Sequence, residues 1–181
     1  MRNDNNGILY ALIAEGGSEQ AVLEVLIENN LLVFPKEQIF KEQVLRTRAA
    51  SSFQKKHLQQ GLGNTKLIVY RILDSRGENF NLSAPYRNKV QEVIDLLTRP
   101  EFEMLFIIHF NDYASYRRVS SRMNPSDFAK EKYAQRVGNV KSREDVFAFW
   151  NDRPQDLVAA IREYARLSPD GIDNTLASIL R

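Results

Sequence analysis

Cysteine is absent from the 181 residues, and histidine occurs only as His57 and His109. The first absence excludes disulfides, thiolate metal sites and cysteine nucleophiles. The second rules out a histidine-rich zinc site and argues against a Ser–His–Asp triad. Long apolar runs are missing as well: nothing approaches the ~18 uninterrupted apolar residues of a membrane-spanning helix. The leading Met1-Arg2-Asn3-Asp4-Asn5-Asn6 is polar and carries an acid, and the apolar stretch behind it stops at Glu15 without a cleavage site. We therefore expect a cytoplasmic protein with no membrane partner. A large excess of one charge is also lacking. Lys+Arg is 25 against 23 Asp+Glu, a balance of +2, so a nucleic-acid site would have to come from local patches. What remains is carboxylate chemistry with a hard cation, or no chemistry. With 43% hydrophobic residues, a chain of this length buries a core without staples.

Ile8 to Ala14 is a continuous apolar run ended by Glu15-Gly16-Gly17, as expected of a strand buried on both faces. Ser18 offers a helix N-cap, and Val22, Leu23, Leu26 and Ile27 recur at helical spacing. Leu31 to Phe34 reads as a second short strand, completing a β-α-β unit. Residues 39–60, rich in Gln, Lys, Arg and Ala, predict a helix. Lys66 to Leu73 is a third strand and again delivers an acid, Asp74, to the following loop. Val90 to Leu97 fits either helix or strand. Pro100 suits the start of a helix over 101–113. The remainder predicts helices starting near Pro125, Ser142 and Pro154, the second with capping-box chemistry, and a short last one over 171–181. The expected fold class is α/β: a small, mostly parallel sheet with helices on both faces, in a core over 1–113, plus a C-terminal helical extension over 114–181.

Glu15 and Asp74 are acids at the ends of two predicted strands, where parallel α/β sheets hold their ligands. Carboxylates there can bind Mg²⁺ or Mn²⁺, and such an ion can clamp a phosphodiester and activate water. The alternative is that they merely solvate glycine-rich turns. Local charge offers a second feature. Residues 113–143 hold eight basic side chains against two acids, a balance of +6, interleaved with Tyr113, Tyr116 and Tyr133. Residues 36–56 hold six against two, a balance of +4. Arg117, Arg118, Arg122, Lys130 and Lys132 are the candidate nucleic-acid contacts; solvated helix faces are the competing explanation. His109 reads as a packed core histidine and His57 as exposed and inert. Trp150 reads as core, with Phe147 and Phe149. Glu101 and Asp95 flank the presumed site with nothing to separate them from surface acids.

Ile13-Ala14-Glu15-Gly16 followed by a helix, then a later strand ending in Asp74, resembles the TOPRIM catalytic domain of topoisomerases, primases and small defence-associated nucleases. The run from Arg99 through Pro100, Phe102 and Glu103 to His109-Phe110 resembles the Pro-x-Phe-Glu…His-Phe stretch of RloB-like TOPRIM proteins. Together these cover residues 8–113. The resemblance implies a metal-dependent nuclease, with a setting in phage or mobile-element defence and a separate ATPase partner. This chain has no Gly-x-x-x-x-Gly-Lys-Ser/Thr loop of its own. Glu15 matches the family's glutamate, a metal ligand or general acid/base; Asp74 matches the first aspartate, and Glu103 the Phe-Glu glutamate. The resemblance thus implies catalysis by Glu15, Asp74 and Glu103. The family's second aspartate falls at Arg76, which cannot ligate a cation. Glu78 can substitute as a metal ligand if the loop bends, and Arg76 can contact a phosphate instead. A non-catalytic relative that binds nucleic acid or protein is the second option. A phosphorylated small ligand at the Gly16-Gly17-Ser18 helix start is the third.

Overall fold

The computed structural model describes residues 7–75, 77–99 and 101–181. Three parallel strands form the sheet, β1 (Ile8–Ile13), β2 (Lys66–Leu73) and β3 (Val90–Leu97), in the order β1-β2-β3. Ile8 pairs with Lys66 and Ile13 with Arg71; across the other ladder Leu73 pairs with Leu97. All three strands therefore finish at one edge, and the acids that follow them are delivered there together. The β-branched, bulky content of 66–73 and 90–97 explains both strands. It also resolves the ambiguity at 90–97, because β2 needs a second neighbour to satisfy its backbone groups.

Helices cover both faces. On one face lies α1 (Gly17–Glu28), where Ala21, Val22, Leu23, Val25, Leu26 and Ile27 are all buried. It is sandwiched between the sheet and α7 (Arg143–Asn151). The same core takes in α4 (Met104–His109), α6 (Pro125–Val137) and α8 (Pro154–Leu167). Between α4 and α6 lies the short α5 (Tyr113–Arg117). Opposite, a smaller core forms around Phe53, Leu58, Leu67 and Val69, capped by α2 (Ala50–Phe53) and a wider π-helical turn, Gln54–Leu58. A single turn, α3 (Ala84–Arg87), precedes β3. No described helix is long and apolar enough to cross a membrane.

Several expectations are corrected. Residues 31–34 do not join the sheet. Leu32 bridges Leu180 antiparallel instead, with Val33 N–H donating to Ile179 O (3.0 Å) and Arg181 N–H to Leu31 O (2.8 Å). The helix expected over 39–60 is confined to 50–58. Its first part runs irregularly along the edge of β1, bridging Tyr10 to Ile39 and Ile13 to Leu45. Burial of Ile39, Phe40, Val44 and Leu45 overrides the helical composition of that stretch. The helix over 101–113 shortens to α4, and the last one to a 3₁₀ turn at Leu176–Ile179. Gly16, not Ser18, occupies the N-cap of α1.

Candidate functional site

The carboxyl ends of the strands open onto a cleft of ≈ 240 Å³ lined by Gly16–Glu19, Asp74, Thr98, Glu101–Glu103 and Lys141. Local hydrogen bonds assemble its rim. Thr98, just past β3, donates from N–H (2.8 Å) and from Oγ1 (3.1 Å) to Leu73 O, holding the β3–α4 loop beside Asp74. Glu101 accepts from Ser126 N–H at 2.7 Å, tying the loop to the first turn of α6. Gly17 allows the turn before α7 to close the other side: a Cβ there would lie 2.7 Å from Lys141 O. Arg143 pairs with Glu24 (2.8 Å) and holds that turn against α1.

Carboxyl groups crowd into the cleft. Glu103 is 5% exposed. Burial pushes its carboxyl up to about 7; its own backbone N–H and the Lys141 charge pull the other way, while Glu101 and Glu19 reinforce the rise. Glu19 sits at the third position of α1, where a side chain folds back over the helix start. Its carboxyl is also raised, chiefly by burial and further by Asp74 and Glu15, against hydrogen bonds from its own N–H and the Ser18 hydroxyl. Asp74 lies on the exposed rim.

Of the carboxylates expected in a metal centre, Asp74 and Glu103 meet in this cleft, whereas Glu15 and Glu78 meet at Arg48. Arg48 Nη1 lies 2.5 Å from Glu15 Oε2, and its Nε donates to Glu78 Oε2 at 2.8 Å. The neighbouring Arg46 donates to Glu15 O (2.7 Å). The irregular edge segment before α2 carries both arginines to this place. Among the described residues, no three acidic or histidine side chains are grouped closely enough to hold a metal as they stand. Arg76 lies outside the described residues. Glu19, Glu101 and Lys141 were not among the candidates. The helix-start position of Glu19 is a signal available in the sequence, whereas Lys141 enters only through the packing of α7 on α1.

The basic candidates separate. Lys132 is committed to Asp112 (2.8 Å) and lies over the Phe128 ring. Arg117 lines a different cleft, with Arg99, Tyr113 and Tyr116. Lys130 lines a groove beside α6, and Arg118 and Arg122 are exposed. Tyr116 and Tyr133 are core residues, 6% and 2% exposed. Asp95 is structural: buried Arg71 grips it through Nε and Nη2, both at 2.7 Å. His109 is packed edge-on to Phe110, Phe149 and Trp150, with burial lowering its pKa. His57, expected to be exposed, is instead half-buried against Phe53, with Nδ1 3.0 Å from Lys41 Nζ and Nε2 3.2 Å from Thr47 Oγ1.

Compared with protein-family models, curated proteins and solved structures, the chain matches none.

Proposed function

We propose that this protein is a TOPRIM-like phosphodiesterase that acts on nucleic acid with Mg²⁺ or Mn²⁺. The observation that carries this reading is the convergence of Asp74 and Glu103, from separate strand ends, on one cleft with Glu19. The donor set fits a hard cation. It is all carboxylate oxygen, and Mg²⁺ is commonly held by one or two carboxylates, the remaining positions being water and substrate phosphate. Two of these carboxyls are pushed toward their neutral forms by burial, a cost that a cation among them offsets. Asp74 and Glu103 would hold the ion, which when bound neutralises phosphate charge and acidifies water. Without the ion, burial raises the Glu103 carboxyl to about 7, so ion binding there would release a proton and be favoured as pH rises. Lys141 faces the same space and suits a phosphate oxygen.

The test is Mn²⁺-dependent cleavage of labelled DNA and RNA, with Mn²⁺ binding followed in parallel by calorimetry. Asp74→Asn and Glu103→Gln should each lower cleavage at least 100-fold and weaken Mn²⁺ binding. Glu15→Gln should cost less than 10-fold, because Arg48 already engages that carboxylate. Undiminished cleavage by both cleft variants overturns the assignment. One observation favours a second reading, a nucleic-acid-binding module without catalysis: Arg48 occupies both Glu15 and Glu78. That reading predicts binding that survives every carboxylate substitution and no cleavage in any metal.

A further inference from the structure

Beside the acidic cleft runs a groove of ≈ 570 Å³ between α6 and the turn that precedes α7. Its lining includes Ser126, Lys130, Ala134, Val140 and Lys141. Lys141 also lines the cleft, and Ser126 of the groove donates to Glu101 of the cleft, so the two hollows adjoin. We propose that this groove is the path along which the phosphate backbone of a single nucleic-acid strand reaches the acidic cleft, with Lys130 and Lys141 as its phosphate contacts. The substrate class named here rests on the function proposed above.

Three observations support the path. First, the basic residues of 113–143 are not equivalent. Lys132 is paired with Asp112, Arg143 with Glu24, and Arg136 lies over the Phe110 ring. Lys130 and Lys141 are exposed and form no ion pair among the described residues, so they keep their charge for a ligand. Second, the turn carrying Lys141 is preformed. Gly138 has φ +82°, and a Cβ there would lie 2.6 Å from Asp145 Oδ2. Asn139 N–H donates to that same oxygen at 2.7 Å, and Lys141 N–H to Asn139 Oδ1 at 3.0 Å. The fixed backbone sets where the Lys141 side chain starts, so the turn itself need not be ordered when it meets a phosphate. Third, Glu103 is buried in the wall of the cleft. A duplex presents its phosphates on a wide convex surface and cannot reach down to it, whereas a single strand can enter. Asp127 also lines the groove, and its like charge disfavours a phosphate on that side.

The experiment is fluorescence anisotropy of a labelled 12-nucleotide single strand, DNA and RNA, titrated with full-length protein in EDTA across a salt series. The Lys130→Glu/Lys141→Gln pair should weaken binding at least 10-fold and flatten the salt slope by one to two ions. Ala134→Glu, an exposed change in the groove, should weaken binding while leaving the thermal midpoint unchanged. Arg118→Glu/Arg122→Glu, away from the groove, should cost less than 3-fold. Unchanged binding in the lysine pair, or an equal loss in the arginine pair, overturns the path. Failure of the proposed function reads differently: the lysine pair still loses binding, but wild type cleaves nothing in Mn²⁺. Tighter binding of a duplex than of a single strand also overturns the path.

Discussion

Glu103 is 5% exposed, and two further carboxylates, Glu101 and Glu19, act on it. In the unfolded chain it titrates near its ordinary 4.5; folded, at about 7. Between these values the folded state binds the extra proton, so stability falls as pH rises from about 4.5 to 7. Glu19, shifted the same way, adds to the slope. Glu103→Gln should therefore stabilise the metal-free protein at pH 8 by up to about 3 kcal/mol and change it little at pH 4. Urea unfolding at the two pH values checks this; a variant no more stable than wild type at pH 8 refutes it. Arg71 provides the contrast. The residue is 2% exposed, but its guanidinium is matched to Asp95, donates to Glu78 O (2.8 Å) and lies over the Phe80 ring. Arg71→Met should cost about 1–3 kcal/mol, because it leaves the loop carbonyl of Glu78 without its donor, while Asp95, 37% exposed, is re-solvated.

Among elements, the contact of α1 with α7 sets the shape of the cleft. α1 buries a wide apolar face because it lies between the sheet and a second helix layer, leaving one polar stripe of Gln20, Glu24 and Glu28. Its first turn meets the turn before α7 at Gly17. Gly17→Ala places a methyl 2.7 Å from Lys141 O and 3.1 Å from Arg143 N, both backbone atoms that cannot swing aside. It should destabilise by about 1–3 kcal/mol and weaken single-strand binding. Gly61→Ala, with nothing within 4 Å of the added carbon, should change neither. Paired denaturation and anisotropy measurements on the two variants separate a packing effect from a general intolerance of alanine for glycine. At α6 only the Pro125 start was legible, the cap being Asn124, which accepts from Asp127 N–H (2.8 Å). The cap at α7 was visible in advance: Ser142 accepts from Asp145 N–H (3.3 Å). The irregular edge over 39–49 was not, because its path depends on pairing with β1, which local composition does not encode.

For the whole molecule, the C-terminal helices share one core with the sheet rather than forming a core of their own. Trp150, fully buried, stacks on Phe106 of α4 at 5.3 Å, and Leu157, Ile161 and Tyr164 of α8 belong to the same cluster. The chain should therefore unfold in a single transition. Trp150 fluorescence and far-ultraviolet circular dichroism should give coincident urea curves. Separate midpoints would show that the helices from α5 onward unfold independently of the sheet. The shared core also places Lys141 at the cleft, so the basic and acidic surfaces meet only when the helices are docked.

Amino-acid pattern alone determined the strands β1 and β2, the helix between Gly16 and Asn29, the acids after β1 and β2, the start of α6 and the capped start of α7. These are local properties, set by side-chain period and by the hydrogen bonds a residue can make with its near neighbours. Tertiary structure alone decided which acids share a cavity. Glu15 and Asp74 both follow strands, yet Arg48, brought in by the irregular edge segment, engages Glu15. Glu19 and Glu103 enter the cleft, because helix start and loop fold over the same strand ends. The two cores, the raised carboxyl of Glu103 and the place of Lys141 depend on contacts between residues far apart in the chain. Such contacts leave no mark on the spacing of either partner.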